Sequence, residues 1–341
     1  MRPFYSSILL LLFLFSSFAT ASSKINYSKK WEVKRFINHL HKEFGYSKKN
    51  LKYLFKSVRR NPKLTTFCSS SVPKKTKKEG SWERYKRIHI GKNHINLGIK
   101  FMKKHQKSLD EAYKRFGVPP EYITAIIGIE SYYGNNCGRY YVFDQLTHLA
   151  FRKHRRKKFY KAQLEEFLRI CFKEKLNPKK IKGSSSGAIG LAQFMPSNYQ
   201  HFGIDLNHDG KIRLNNPADA IGSIGNYFKK NRWEKDMPVA VKTTFKGKRF
   251  YGLKTGFKYK YRQKNLHKIK ANGYFNYKKE VMLIKLSKAW SDELWFGSHN
   301  FYVITRYNHS AYYAMAVHQL AQKMKWRSIN QKISSIKNKE K

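Results

Sequence analysis

The spacing of apolar side chains predicts a mainly helical chain interrupted by one β-rich stretch. Phe36, Ile37, Leu40 and Phe44 recur at helical intervals and predict an amphipathic helix over Trp31–Phe44, closed by Gly45. Ser47 then offers an N-cap for a second helix carrying Leu51, Leu54, Phe55 and Val58. Residues 69–80 hold Ser, Pro and Lys with little apolar content and read as a loop, and helical patterning returns from Trp82 to Arg115. In 119–133, Pro119 and Pro120 suit a helix start, where a missing N–H costs little. Ile123, Ile126, Ile127 and Glu130 follow at i, i+3, i+4 and i+7. That puts a carboxylate on the buried stripe of an otherwise apolar helix, which Gly134-Asn135 are expected to stop.

Residues 183–196 are rich in Gly, Ser and Ala and end in Gln193, Phe194 and Met195. Small residues there let backbone approach a ligand closely, and the same pattern fits an ordinary loop before a helix. Between 239 and 261, Phe245, Phe250, Tyr251, Phe257 and Tyr259 alternate with lysines and predict two or three short strands. After Ala289 the pattern turns helical, most clearly in Tyr313, Ala316, Val317, Leu320, Ala321 and Met324, and the lysine-rich tail from Ser328 is expected to fray.

Composition adds three constraints. The 341 residues allow roughly two domains, and 24 Phe with 23 Tyr argue against disorder. Residues 1–21 have the layout of an export signal: Arg2, an apolar run from Ile8 to Phe15, then Ala19-Thr20-Ala21. No cysteine stands directly after that site, so lipid attachment is not expected, and no later segment is apolar for long enough to span a bilayer. The three cysteines, Cys68, Cys137 and Cys171, show no metal spacing, although one pair could bridge in an oxidising compartment. The net charge of +50 points to anionic partners without naming one.

Two places carry candidate chemistry. A glutamate on an apolar helix face is desolvated, which favours its neutral form and raises its pKa, as a general acid requires; a buried structural ion pair is the competing reading of Glu130. Asp205, Asn207, Asp209, Gly210 and Lys211 match the opening of a calcium loop, with oxygen donors at positions 1, 3, 5 and 7 (the last a backbone carbonyl) and glycine at 6. Position 12 is Asn216 rather than an acid, and Asp219 could close a longer loop. An Asx-rich turn is the plainer alternative.

The motifs then combine. Gly117-Val-Pro-Pro-Glu121, Gly128-Ile-Glu130-Ser-Tyr-Tyr-Gly134, Gly190-Leu-Ala-Gln193-Phe-Met-Pro196-Ser and Ile304-Thr-Arg306-Tyr307-Asn308-His309-Ser310 occur in that order. Over about 80–326 the chain resembles the lytic murein transglycosylase B family, glycosidases with a lysozyme-like core. The resemblance implies cleavage of peptidoglycan between N-acetylmuramic acid and N-acetylglucosamine, leaving 1,6-anhydro ends. It also implies one carboxylate, Glu130, as acid and then base, with no cofactor for catalysis. By the same likeness Ser184 and Gln193 orient sugar and carboxylate, and Phe194 and Met195 form the cleft floor. Tyr85, Tyr227, Tyr307, Asn308 and Tyr313 line the cleft, and Arg155-Arg156 face the peptide-bearing side. Asp205, Asn207, Asp209, Lys211 and Asp219 form the calcium loop. Asn216 departs from the family's acidic residue beside that loop, and the missing lipidation cysteine departs from its lipoprotein member.

The expected fold is therefore α+β and mainly α. A signal over 1–21 precedes a helical domain over 22–117, completed by 291–341. A lysozyme-like core with the calcium loop occupies 118–235, and a small β-rich insertion 236–290. The expected partners are peptidoglycan glycan strands and anionic wall polymers in the periplasm or cell envelope, with no specific nucleic acid. Two rivals remain at this stage: a lysozyme-type hydrolase with a second acid, for which Asp144 is the sequence neighbour, and a non-catalytic polyanion binder, which predicts a steep salt dependence.

Overall fold

The computed structural model describes residues 23–61, 79–247 and 249–337. The expected export signal, Cys68 and residues 69–78 of the expected loop lie outside the described residues. Contacts separate the chain into two units, Met1–Pro62 and Lys63–Lys341. In the first, strand β1 (Lys24–Ile25) pairs antiparallel with β2 (Val58–Arg59), and between them run helices α1 (Trp31–Phe44) and α2 (Lys48–Lys56). The expected punctuation does the shaping. Gly45 takes the left-handed conformation, φ 69°, and its N–H bonds to the carbonyl of His41, while Ser47 Oγ accepts from Asn50 N at 3.3 Å. The apolar stripe Val33, Phe36, Ile37 and Leu40 is buried, with Phe36 edge-on to Phe55 at 6.3 Å.

The second unit opens with α3 (Ser81–His89), α4 (Lys92–Lys104) and α5 (Gln106–Phe116), then α6 (Pro120–Ser131). Every side chain of α6 from Glu121 to Gly128 is buried, so this helix has no solvent face, and its apolar stripe marks only part of what it buries. Helix α12 (Ala311–Lys337) packs along it, and along α3 and α4. After α6 come β3 (Tyr140–Tyr141), α7 (Val142–Phe151), α8 (Lys157–Lys173), β4 (Lys182–Gly183), α9 (Pro196–Phe202) and α10 (Pro217–Lys230), with β3 and β4 forming a short antiparallel pair.

The β-rich segment is a five-stranded antiparallel sheet. It contains β5 (Ala240–Phe245), β6 (Lys260–Tyr261), β7 (Ile269–Ala271), β8 (Val281–Ser287) and β9 (Asp292–Gly297), in spatial order β6-β8-β9-β5-β7. Strand β8 shows how the sheet is seated. Val281 and Leu283 join a small cluster with Phe250, Leu266 and Phe296, whereas Met282, Ile284 and Leu286 join the main helical core. Successive side chains point to opposite faces, so a strand with both faces covered reads as an unbroken apolar run. Such a run carries no alternation to identify it.

Two expectations need correcting. The chain does not turn helical directly after Ala289, because β9 intervenes before α11 (His299–Tyr307). The lysine-rich tail is not frayed at Ser328 but helical to Lys337, although Trp326, Ile329 and Ile333 are exposed. No helix among the described residues is long and apolar enough to cross a membrane.

Candidate active site

Glu130 stands in the last turn of α6, and the way that turn ends fixes it. The helix stops earlier than Gly134-Asn135 suggested, at two consecutive left-handed residues, Tyr132 (φ 50°) and Tyr133 (φ 60°). Their N–H groups bond back to the carbonyls of Gly128 and Ile127. The Tyr133 ring folds over Gly128 so closely that a Cβ there would lie 2.6 Å from it, and its hydroxyl donates to the His94 carbonyl at 2.7 Å. Ser131 Oγ donates to the Ile127 carbonyl and accepts from Gly134 N. Aromatic clamping and a buried serine thus hold a turn that local propensity disfavours.

The carboxyl is half-buried and raised to about pKa 7 by desolvation, partly offset by a hydrogen bond from Tyr313 Oη to Oε1 at 2.6 Å. Tyr313 belongs to α12 and is itself buried. Its ring stacks on Tyr307 of α11, with centroids 6.4 Å apart and planes 12° apart. Tyr307 donates its hydroxyl to the Ala192 carbonyl at 2.6 Å, pinning the glycine-rich loop to the same wall. Burial first, and the charge of Glu130 second, raise both phenols well above their ordinary value. The same two causes push Tyr85 up to about 12, which places Tyr85 within the electrostatic reach of Glu130.

The 183–196 stretch is a built turn rather than a slack loop. Ile189 and Phe194 pair as an antiparallel bridge, and between them Gly190 adopts φ 73° with no room for a side chain. A Cβ on Gly190 would lie 2.4 Å from the Leu214 carbonyl. Gln193, at φ 47°, donates its amide to the carbonyls of Gly190 (2.8 Å) and Cys137 (3.1 Å), binding the turn to the segment that follows α6. Phe194 is buried against Tyr227 and Tyr307, and Met195 stands directly before α9 without a side-chain capping bond. Ser184 Oγ accepts from Ala188 N at 3.0 Å. Gly138 meets the Gly183 backbone at a distance a Cβ would not tolerate, so Ser184 and Gln193 both abut the same post-α6 segment.

Glu130, Tyr85, Phe194, Tyr227, Tyr307 and Tyr313 are therefore linked by contacts or electrostatics, and Gln193 bonds to the Cys137 carbonyl in the segment that follows α6. Asn308 ends α11 with an exposed side chain. Arg155 and Arg156 are exposed at the start of α8, Arg156 lying over Phe159 at 4.4 Å; among the described residues no contact ties them to the Glu130 cluster. Asp144 is buried and ion-paired with Lys179 at 3.3 Å, which suits a structural role. Ser131, Tyr133 and the carbonyls of Cys137 and Ala192 went unpredicted. Ser131 and Tyr133 sit inside the quoted Glu130 motif; backbone carbonyls leave no trace in a sequence.

Residues 205–219 form an oxygen-rich loop. Asp205 accepts from the N–H groups of Asp209 (3.2 Å) and Gly210 (2.8 Å), and buried Asp219 accepts from Leu206 N and Arg213 N. Asp209 is held below its usual range by Asn207 first, then by Arg213. Asn216, where an acid was expected, caps α10 by accepting from Ala218 N. Among the described residues, no group of three or more His, Cys, Asp or Glu converges to hold a metal by those side chains alone. The Asn207 amide and Lys211 carbonyl would have to complete an all-oxygen set, which is the chemistry a hard divalent cation accepts. Cys137 and Cys171 are free thiols.

Comparison with known proteins agrees with this geometry. The family described as Transglycosylase SLT domain matches residues 28–322. The membrane-bound lytic murein transglycosylase B of Escherichia coli (strain K12) is 34% identical over 300 residues, 85% of this chain and 81% of that protein. The solved E. coli lytic transglycosylase SLT35 in complex with bulgecin A superposes with a TM-score of 0.83 at 33% identity, covering 88% of this chain and 95% of that one. SLT35 in complex with calcium gives 0.82 at the same identity and coverage. The soluble lytic transglycosylase SltB1 of Pseudomonas aeruginosa gives 0.78 at 33% identity, over 86% and 98% of the two chains. On these matches the chain belongs to the lytic murein transglycosylase B family and is a lytic transglycosylase, an enzyme acting on peptidoglycan.

Proposed function

We propose that this enzyme cuts the bond from N-acetylmuramic acid to N-acetylglucosamine with Glu130 as its sole acid and base. The observation that carries the reading is the state of that carboxyl: half-buried, raised to about 7, and hydrogen-bonded by Tyr313. A protonated Glu130 gives its proton to the leaving glycosidic oxygen. The resulting carboxylate is steadied by Tyr313 and takes the proton of the muramyl C6 hydroxyl, whose oxygen closes onto C1. One proton leaves and one returns, and no water is consumed. An intramolecular hydroxyl has an effective concentration on the order of 10⁵ M or more when well oriented, far above bulk water at roughly 55 M. A hydrolase needs a second carboxylate to position that water; Asp144 is committed to Lys179 instead.

In this reading Gln193 and Ser184 orient the sugar, and Phe194 and Met195 floor the cleft. Tyr85, Tyr227, Tyr307, Tyr313 and Asn308 line it, and Arg155 and Arg156 serve the peptide side from outside the Glu130 cluster. The core at 118–235 carries the chemistry, and the β-rich insertion spans 236–290. The loop at Asp205, Asn207, Asp209, Lys211 and Asp219 would hold calcium and brace α10 without touching the reaction. The relative SLT35 has been solved with calcium. Export to the periplasm or cell envelope rests on the pattern of residues 1–21, and attraction to anionic wall polymers on the charge of +50. Digestion of peptidoglycan in heavy-oxygen water tests the mechanism: the new muropeptide ends should be 1,6-anhydro, one water lighter than lysozyme products, and unlabelled. Labelled reducing ends as the main product would establish a hydrolase.

A further inference from the structure

Away from the Glu130 cluster, the second unit carries a cavity of about 740 Å³ between the β-sheet and the start of α11. Lys260, Arg262, Lys264 and Lys278 line it, all four exposed and without a salt bridge among the described residues, while Tyr277 and Tyr302 give it an aromatic side. Glu234 and Glu280 also line it. Glu234 is already neutralised by Lys279, whose ammonium lies 2.9 Å from both carboxylate oxygens. The four unpaired cations thus face one uncompensated acid, and the cavity favours an anionic guest. Its architecture is anchored to the helix that serves the active site. His299 N donates to Tyr277 Oη at 3.0 Å, and Tyr302 lies five residues, roughly 7.5 Å of helix rise, before Tyr307. Arg306 bridges the two: its guanidinium sits 5.6 Å from the Tyr302 ring centre, and its charge also acts on Tyr227 of the cleft.

We propose that this cavity is a second substrate subsite, taking the carboxylate-bearing peptide stem of a strand whose glycan lies in the Glu130 cleft. The inference rests on the transglycosylase reading above and adds to it a site on the β-rich insertion. Both sites share α11, and an extended peptide of five residues spans roughly 16 Å, against a rise of roughly 7.5 Å along that helix from Tyr302 to Tyr307. Stems carry several carboxylates on a flexible chain, which suits lysines and an arginine spread around a mouth. Aromatic faces beside them accept the aliphatic parts of the same peptide.

The test uses the full chain and the triple variant Lys260→Ala, Arg262→Ala, Lys278→Ala, all at exposed positions. Its rates are measured on intact peptidoglycan and on the same glycan after amidase removal of the stems. Loss of three exposed charge pairs should raise KM for the stem-bearing substrate about tenfold, with kcat and the bare-glycan rates within about twofold. Equal changes on both substrates, or none on either, would overturn the proposal. Calorimetry of a disaccharide pentapeptide with the Glu130→Gln chain separates the two readings. If the wild type cleaves neither substrate but peptide affinity still falls about tenfold in the triple variant, the subsite stands and the catalytic reading falls. If cleavage is intact and peptide affinity ignores the three cations, the subsite falls alone. Binding of polyphosphate through the same cations, without peptide affinity, refutes it in favour of a phosphate polymer.

Discussion

Replacing Glu130 by glutamine should destroy activity and stabilise the fold, with the two effects differing in their dependence on pH. The carboxyl is pushed up to about 7 from an ordinary 4.5, burial being the first cause. Below pH 4.5 it is protonated in folded and unfolded chains alike, and its favourable burial is fully present. As pH rises through 7 the folded chain must carry a desolvated charge, and at most about 3 kcal/mol is lost. Glutamine keeps the shape, still accepts from Tyr313 and never ionises. The variant should therefore melt with the wild type near pH 4.5 and about 5 °C higher at pH 9, while turnover falls by about 10²–10⁴-fold or more. Thermal unfolding of both proteins at the two pH values, with product release measured in parallel, decides the matter. A melting difference that is the same at both pH values would refute the claim that burial sets this group's acidity. Retained turnover would remove Glu130 from the mechanism.

Tyr313→Phe removes the hydrogen bond that favours the carboxylate, so the alkaline limb of the rate profile should move upward by about one pH unit, as a charge-assisted bond of about 1.5 kcal/mol requires; an unmoved limb argues that the contact has no part in the reaction. Calcium should raise the melting temperature of the wild type, by about 2.7 kcal/mol of stability at a hundredfold excess over its dissociation constant, and should not do so in Asp209→Ala; identical melting curves with calcium and with chelator would show that the loop binds none. His318 is held neutral, with burial pulling it down to about 4 and its Nδ1 2.8 Å from Tyr122 Oη. Its contribution is present above pH 6.5 and lost as pH falls through 4, at most about 3 kcal/mol. His318→Gln should flatten the acid side of the stability curve, and an unchanged slope would place the titration elsewhere.

The sequence by itself determined the helices whose stripes face one core and whose ends carry their own stop signals. Trp31–Phe44 and its Gly45 are the clearest case, because 3.6-residue spacing and a left-handed glycine are local facts. It also determined that Glu130 lies on a helix with almost no polar neighbour, and the ordered motifs around it identified the chemistry. What it could not supply was any feature made by a partner distant along the chain. Strand β8 hides in a continuous apolar run because the sheet is covered on both faces. The end of α6 is set by Tyr133 packing on Gly128 and reaching His94, not by the glycine that follows. The acidity of Glu130 depends on Tyr313, 183 residues away, and the charge-lined cavity on α11 gathers side chains from Glu234 to Tyr302 that no spacing rule joins. Periodicity records which side of an element is buried; only tertiary packing decides what each buried group meets, and that meeting sets pKa, backbone strain and site geometry.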